Sequence, residues 1–454
     1  MEQNKETIFD SRGGDVKAEA KQYPLAKMDL LSTTGNTGAK VYNRCTENIF
    51  RILERHPDFE GRFRYDDWTQ KAEIKKDSRW TELDDSDYIP IQRKISSMYP
   101  PFRMVGKEMV IDAVNDACRA HSYDRAVAFI RKIEWDKTPR LDSWLSKVYG
   151  TPDDAYHKAV GANFFKGMAK RIIKPGCKFD TVMILEGKQG CGKSTSLSII
   201  GGKWHLETTM KADNKDFFLQ FKGKLIVEFS EGETMSRTET KNMKAMISTQ
   251  VDTYRAPYGR IMKDVPRRCI FAMSTNQDEY LKDESGNRRF FPVEVAREQV
   301  DLVWLKENRE QMFAEALYRV ETLKESVYEY PSEATDHQQA KMVRSAFEDD
   351  IASWLCNPHI GGSKADIETD GFTIAQVWCY ALGGDKARIR KSEEMQIGLA
   401  LKQLGFEKKR AMINGEQKMR WFSDKEIDFK CDILEVLKNG GGVQGEQRVQ
   451  GKIC

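Results

Sequence analysis

The chain has no C-x-x-C pair, and none of its nine cysteines stands at metal-ligand spacing from a histidine or a second cysteine. That argues against a zinc-finger framework. The odd count argues against a disulfide scaffold, so reduced thiols in a cytoplasmic protein are expected. No run approaches the ~18 to 20 apolar residues of a membrane span. Met1 to Lys17 has no apolar signal core either, so a soluble protein with no membrane partner is expected. Charge of one sign is also lacking: the formal net charge is +3 at a pI near 8.2, although 31% of the 454 residues are charged. Any basic surface for nucleic acid must therefore be local. The length allows about two to four domains, and a hydrophobic fraction of 40% allows each a core.

What is present centres on TVMILEGKQGCGKST, Thr181 to Thr195. Val182, Met183, Ile184 and Leu185 form a short apolar run that suits a buried strand. The chain then turns at once. Gly187, Gly192, Lys193 and Ser194 satisfy G-x-x-x-x-G-K-[ST], and STSLSII from Ser194 opens a helix. Glycines let backbone N–H groups curl around phosphate oxygens, and the helix start adds the positive end of its dipole. Lys193 reaches the β and γ phosphates, and the Ser194 hydroxyl can ligate Mg²⁺. The alternative is an ordinary glycine turn, but the strand before it and the helix after it favour a nucleoside triphosphate site.

Along the chain, residues 1–43 read as a polar, partly disordered terminus and 44–103 as a small α/β domain, with a helix at Thr46 to Arg55 and a strand at Arg62 to Tyr65. Asp84, Asp85 and Asp87 read as a helix cap before IPIQRKISSMY, with a metal site as the alternative. Residues 104–178 read as helical, with long helices at Val110 to Ile133 and Thr151 to Ile173. Trp135 and Trp144 are expected in the core between them. Arg171, Lys174 and Lys178 are either a solvated basic face or cations for a phosphate or a nucleic acid. Residues 179–330 form the α/β core. Lys224 to Phe229 is its second strand and ends among Glu228, Glu231 and Glu233. A carboxylate at that strand end can organise Mg²⁺ and the attacking water. Glu231 is favoured for the water, and the split between Glu228 and Glu231 stays open.

Arg268 to Met273 is a third strand running into Ser274, Thr275 and Asn276, whose amide can bond a γ-phosphate or a water. Arg288 and Arg289 leave a Gly-Asn turn for a fourth strand-like run. They are either a solvated loop or an arginine finger. Val251 to Arg260 reads as a hairpin in which Arg255, Tyr258, Arg260 and Lys263 can hold a nucleic-acid backbone and stack on a base, a purely structural hairpin being the alternative. Residues 345–423 read as a winged-helix-like module with helices at Phe372 to Leu382 and Ser392 to Leu404 and a strand at Lys418 to Phe422. Lys386, Arg388, Arg390, Lys391, Lys408, Lys409 and Arg410 lie between those elements. Residues 424–454 form a polar low-complexity tail.

Taken in order, WDKTPRLDSWL, PGCKFDTVMILEGKQGCGKST, VEFSEGE, DTYRAPYGR and STNQDEYLKDESGNRRFFPVEV resemble the virulence-associated protein E (VapE) family of phages and mobile elements. Members look like superfamily 3 helicases of the AAA+ class, and the family is similar to the helicase half of poxvirus-type primase-helicases. The resemblance covers Met104 to Val295. It implies an α/β P-loop ATPase core and a ring-forming, hexameric, Mg-ATP-driven motor that acts on single-stranded or forked DNA beside other replication proteins. Carried over, the phosphate-binding positions are Gly187, Lys188, Gln189, Gly190, Cys191, Gly192, Lys193, Ser194 and Thr195. The acid is Glu231 with Glu228 beside it, the sensor is Asn276, the finger is Arg288 or Arg289, and Asp252 to Lys263 is the DNA-gripping loop. An acidic pair with a following histidine, as in an attached primase, is missing upstream. Two other readings stand beside this one: a nucleotide-gated DNA-binding regulator that does not translocate, and a P-loop kinase. A GTPase is disfavoured because Thr275-Asn276-Gln277-Asp278 lacks the lysine of N-K-x-D.

Overall fold

A computed structural model describes residues 23–208, 217–230, 237–255, 262–277, 280–281, 287–328, 331–341, 345–361, 363–364, 371–413 and 416–423. They belong to two compact units, one drawn from Met1–Glu231, Ala245–Thr275 and Val293–Ser332, the other from Gly232–Lys244, Asn276–Pro292 and Glu333–Cys454. The first unit opens with a strand pair, β1 (Ser32–Thr34) and β2 (Lys40–Tyr42), then α1 (Thr46–Arg55), β3 (Phe63–Asp66), β4 (Lys71–Lys76), β5 (Arg79–Glu82), α2 (Tyr88–Met98), α3 (Lys107–Ala120), β6 (Ser122–Tyr123) and α4 (Arg125–Lys132). The sheet order is β5-β4-β3-β6, with β6 parallel to β3. Ile49, Ile52 and Leu53 of α1, on one helical face, pack with Val110 and Val114 of α3 in one apolar core.

Three expectations change here. The single helix anticipated from Val110 to Ile133 is two, because Ser122 and Tyr123 leave helical geometry to pair with β3. Asp124 then recaps the chain, its carboxylate accepting from the N–H groups of Ala126 and Val127 at 2.9 and 3.0 Å. Asp87 does precede α2, but its side chain makes no cap bond; it accepts from Asp84 N–H at 3.1 Å and pairs with Lys76. Trp135 is half-buried at the surface against Tyr318, ring centroids 4.8 Å apart, whereas Trp144 is fully buried as expected.

The rest of the first unit carries α5 (Trp144–Tyr149), α6 (Ala155–Ile173), β7 (Val182–Glu186), α7 (Lys193–Gly201), β8 (His205–Thr208) and β9 (Ile226–Phe229). After α8 (Arg237–Ser248), which crosses the boundary between the units, come β10 (Val251–Arg255), β11 (Met262–Pro266), β12 (Ile270–Thr275), β13 (Phe290–Glu294), which also crosses that boundary, and α9 (Leu302–Glu321). The central sheet runs β13-β7-β12-β9-β8. Within it β7, β12, β9 and β8 are parallel, and all but β8 are wholly buried. That burial on both faces explains why these strands read as continuous apolar runs. Arg171 is neither a solvated face nor a phosphate ligand: it is 1% exposed and donates to the carbonyls of Arg267 and Phe179 at 2.9 and 3.2 Å.

The N-terminal sheet and helices are keyed to the central sheet by Trp68, in the turn after β3. Its indole N–H donates to Gly223 O at 3.0 Å, its ring meets Trp204 at 5.3 Å, and the Arg268 guanidinium lies 4.6 Å from the ring centre.

In the second unit, α10 (Ala334–Ala340) is followed by α11 (Glu348–Leu355), the short pair β14 (His359–Ile360) and β15 (Ser363–Lys364), α12 (Ile374–Tyr380), α13 (Lys391–Gln403), β16 (Phe406–Ile413) and β17 (Glu416–Ser423). Thr373 and Gln376 form a reciprocal capping box on α12. Ile351, Leu355, Phe372, Val377, Ile397, Leu401, Phe406 and Trp421 share a core. The two expected helices are α12 and α13. The basic run Lys408 to Arg410 lies on the exposed surface of β16, antiparallel to β17.

Candidate functional site

β7 delivers the chain to a loop whose glycines adopt conformations closed to other residues. Gly187 has φ 149°, and a Cβ there would sit 3.2 Å from the backbone oxygen of Val295. Gly192, at φ 105°, is the N-cap of α7. The loop is braced from outside: Val295 N–H donates to Glu186 O at 2.8 Å, Val300 N–H to Cys191 O at 3.0 Å, and Gly187 N–H to Thr275 O at 3.2 Å. Lys188, Gln189 and Gly190 are exposed, while Cys191 is buried. Lys193 folds inward, its ammonium donating to the carbonyls of Gly187 and Lys188 at 2.7 and 2.8 Å. A cation and the first N–H groups of α7 thus face one loop, which is an anion-binding arrangement.

Behind the loop lies a fully buried carboxylate. Glu228 on β9 is 0% exposed and its Oε1 accepts from Ser194 Oγ at 2.6 Å and from Ser274 Oγ at 2.7 Å. Its Oε2 meets His205 Nε2 at 2.9 Å. Burial alone would raise its pKa, but the hydrogen bonds from His205, Ser194 and Ser274 outweigh that and hold it below the ordinary 4.5. The first turn of α7, the end of β12 and the start of β8 therefore converge on one side chain. Tyr149 adds a brace from α5, its hydroxyl 2.7 Å from Ser196 Oγ in the second row of α7.

Of the residues singled out in the sequence, the loop from Gly187 to Thr195, Lys193, Ser194 and Glu228 come together in this way. Glu231, and with it the choice between Glu231 and Glu228 for the water, lies outside the described residues, as do Tyr258 and Arg260. Asn276 follows β12 directly and is exposed; the strand residue that touches Glu228 is Ser274. Arg288 is exposed and Arg289 half-buried, in the single turn Asn287–Arg289 that leads into β13. Arg255 and Lys263 are exposed on the antiparallel strands β10 and β11. His205 and Ser274 were not singled out, although Ser274 stands in the Ser-Thr-Asn turn after the third strand.

These features define an α/β protein whose parallel sheet brings a glycine loop after β7, a lysine at the start of α7 and a serine-bound carboxylate on β9 together. Residues 130–348 match the family model of the virulence-associated protein E-like domain. Among solved structures it is similar to the A form apo structure of the NrS-1 C-terminal region, at 15% identity over 80% of this chain and 96% of that one, with a TM-score of 0.46. A second A form structure of that region, residues 305–718, aligns at 15% identity over 84% of this chain and 100% of that one, with a TM-score of 0.47. No curated protein matches the chain. Among the described residues no helix is long and apolar enough to cross a membrane.

Proposed function

We propose that the chain is an ATP-dependent DNA helicase or replication-initiation motor of a phage or mobile element, built on a P-loop ATPase core of the AAA+, superfamily 3 type. The observation that carries this reading is the 2.6 Å hydrogen bond from Ser194, at the start of α7, to Glu228 on β9. It joins the hydroxyl that ligates Mg²⁺ in phosphate-loop sites to a carboxylate of the kind that holds the ion's water shell. The donor set fits Mg-ATP. One hydroxyl and one carboxylate oxygen leave room for the waters and phosphates that Mg²⁺ prefers, and the loop amides with Lys193 suit a triphosphate.

When bound, Mg-ATP supplies the phosphoryl group and neutralises part of the charge developed in its transfer. In this reading Lys193 exchanges its carbonyl partners for the β and γ phosphates, and the amides after Gly187, from Lys188 to Thr195, hold the remaining oxygens. Ser194 and Glu228 orient the metal side. Glu231 accepts a proton from the attacking water, Asn276 orients that water, and Arg288 or Arg289 is offered to a neighbouring subunit of a homo-oligomeric ring. Arg255, Tyr258, Arg260 and Lys263 grip DNA. Residues 345–423, as a winged-helix-like module, add the basic surface of β16.

The deciding experiment is ATP hydrolysis with and without single-stranded DNA, paired with strand displacement on a fork. DNA-stimulated hydrolysis with displacement is expected. Hydrolysis without displacement would favour a nucleotide-gated regulator, and phosphate transfer to a small acceptor without DNA stimulation would favour a kinase.

A further inference from the structure

Glu228 is held from both ends of one helix. Ser194 at the N-terminus of α7 binds Oε1, and the turn after its C-terminus delivers His205, which binds Oε2 at 2.9 Å. The backbone is arranged for this. β8 runs parallel to β9 with His205 opposite Ile226, so its ring reaches diagonally along the pair to Glu228, two residues on. Gly201, the last residue of α7, makes the approach possible, since a Cβ there would lie 2.9 Å from the Cβ of His205. Lys224 fixes the strand start by donating to His205 O at 3.2 Å.

A carboxylate anchored through one oxygen can still rotate about its terminal torsion, which is broad for this side-chain type. Anchoring the second oxygen removes that freedom. With His205 in place the Oε1 edge is turned toward Ser194 and Ser274; without it, the group can turn that edge away or share one oxygen among fewer donors. We propose that His205 is a positioning residue for the nucleotide site, acting through Glu228 to orient the metal side of that site. The inference rests on the ATPase reading above. It also assigns Glu228 a fixed orienting role, because a carboxylate held by three donors is poorly placed to swing toward a water.

The test uses the full-length chain as wild type, His205→Ala and His205→Gln. Binding of a fluorescent ATP analogue is titrated with Mg²⁺ and repeated in EDTA, with steady-state hydrolysis and thermal melting alongside. His205→Ala is expected to need about tenfold more Mg²⁺ for half-maximal binding and to lose about 10- to 100-fold in kcat, the range for removed groups that orient metal ligands. Binding in EDTA and the KM for ATP at saturating Mg²⁺ should stay within about twofold, because Lys193 and the loop amides carry them. His205→Gln, whose amide N–H falls near the position of Nε2, should restore most of the Mg²⁺ dependence. A purely structural histidine would lower the melting temperature without this split. Wild-type Mg²⁺ dependence in a folded His205→Ala chain overturns the proposal, and so does a folded His205→Gln chain that behaves like alanine. If the wild type itself neither binds nor hydrolyses ATP, the ATPase reading falls and takes this inference with it.

Discussion

Arg267 and Asp252 form a buried ion pair that fastens the base of the β10–β11 hairpin to the segment leading into β12. The guanidinium is wholly enclosed, with Nε 3.0 Å from Asp252 Oδ2 and a further bond to Met246 O. Arg267 N–H also donates to Gln250 O at 2.8 Å, and its carbonyl accepts from Arg171. Ile270 opens β12 three residues later, and Ser274 on that strand touches Glu228. The hairpin and the buried carboxylate are thus joined by one short stretch of chain.

Asp252→Ala should therefore destabilise the protein by about 3–5 kcal/mol, because it strands a buried guanidinium without its counter-charge. Chemical denaturation measures this. A loss below about 1 kcal/mol would mean that water or another acceptor reaches Arg267.

Lys193→Ala should abolish detectable hydrolysis, a loss of at least ~10²-fold, since a positioned cation or donor at the phosphates carries that much of the catalysis. The lysine bonds two carbonyls of its own loop, so the fold should persist. Circular dichroism and nucleotide binding check the two halves; unchanged turnover would remove the site from this loop.

Glu228→Gln and Glu231→Gln should fail differently. The first places an amide where three donors converge, and should raise the Mg²⁺ requirement and weaken Mg-dependent binding. The second should retain ATP but slow its cleavage, because an amide cannot take a proton from water. Reversed behaviour in binding and single-turnover measurements would exchange the two roles.

Turnover per subunit should rise with protein concentration if Arg288 or Arg289 completes a neighbour's site, a contribution worth ~10³ to 10⁵ in rate when supplied in trans. Mixing Lys193→Ala with Arg288→Ala/Arg289→Ala should then recover partial activity from two inactive chains. Full activity from a demonstrated monomer would count against a shared site, as would no recovery between variants shown to co-assemble.

The first unit should lose stability in mild acid through His56. This ring is 4% exposed, packs edge-on against Tyr99, and accepts from Asp58 N–H through Nδ1 at 3.1 Å. Burial, aided by Lys94 and opposed by Asp58, holds its pKa below the ordinary 6.5. The unfolded chain therefore takes up the proton first. The contribution is complete above the unfolded value and is lost as pH falls through the folded one. His56→Asn keeps an acceptor near Nδ1 but cannot titrate, so its melting temperature should fall less between about pH 7 and pH 5. Parallel curves for the two proteins would rule His56 out.

Much of the core was legible because its strands are buried on both faces. The run from Val182 became β7 with Glu186 added, and the strand expected from Arg268 to Met273 became Ile270–Thr275. The shift has a cause: the Arg268 side chain leaves the strand to pair with Asp124 and cover Trp68, so it contributes a cation where the pattern suggested a strand start. β8 escaped notice because four residues, none fully buried, carry no usable period. His205 escaped with it, since its partner lies 23 residues away and the contact exists only once β8 and β9 pair. Arg171 misled for a related reason: it is a cation whose acceptors are carbonyls from distant segments, and charge in a sequence does not reveal such partners.

Trp68 gives the chain a timetable. Its acceptor, Gly223 O, lies 155 residues downstream, so the ribosome has exposed this indole long before its partner is made. The helices α1, α2 and α3 share an apolar core of their own that can collapse early, before the partners of Trp68 are made. Docking must wait for the segment through β9, and so distant a closure is slow compared with local helix pairing. During that interval Trp68 is a surface that a chaperone, or another nascent copy, can occupy before Gly223 arrives.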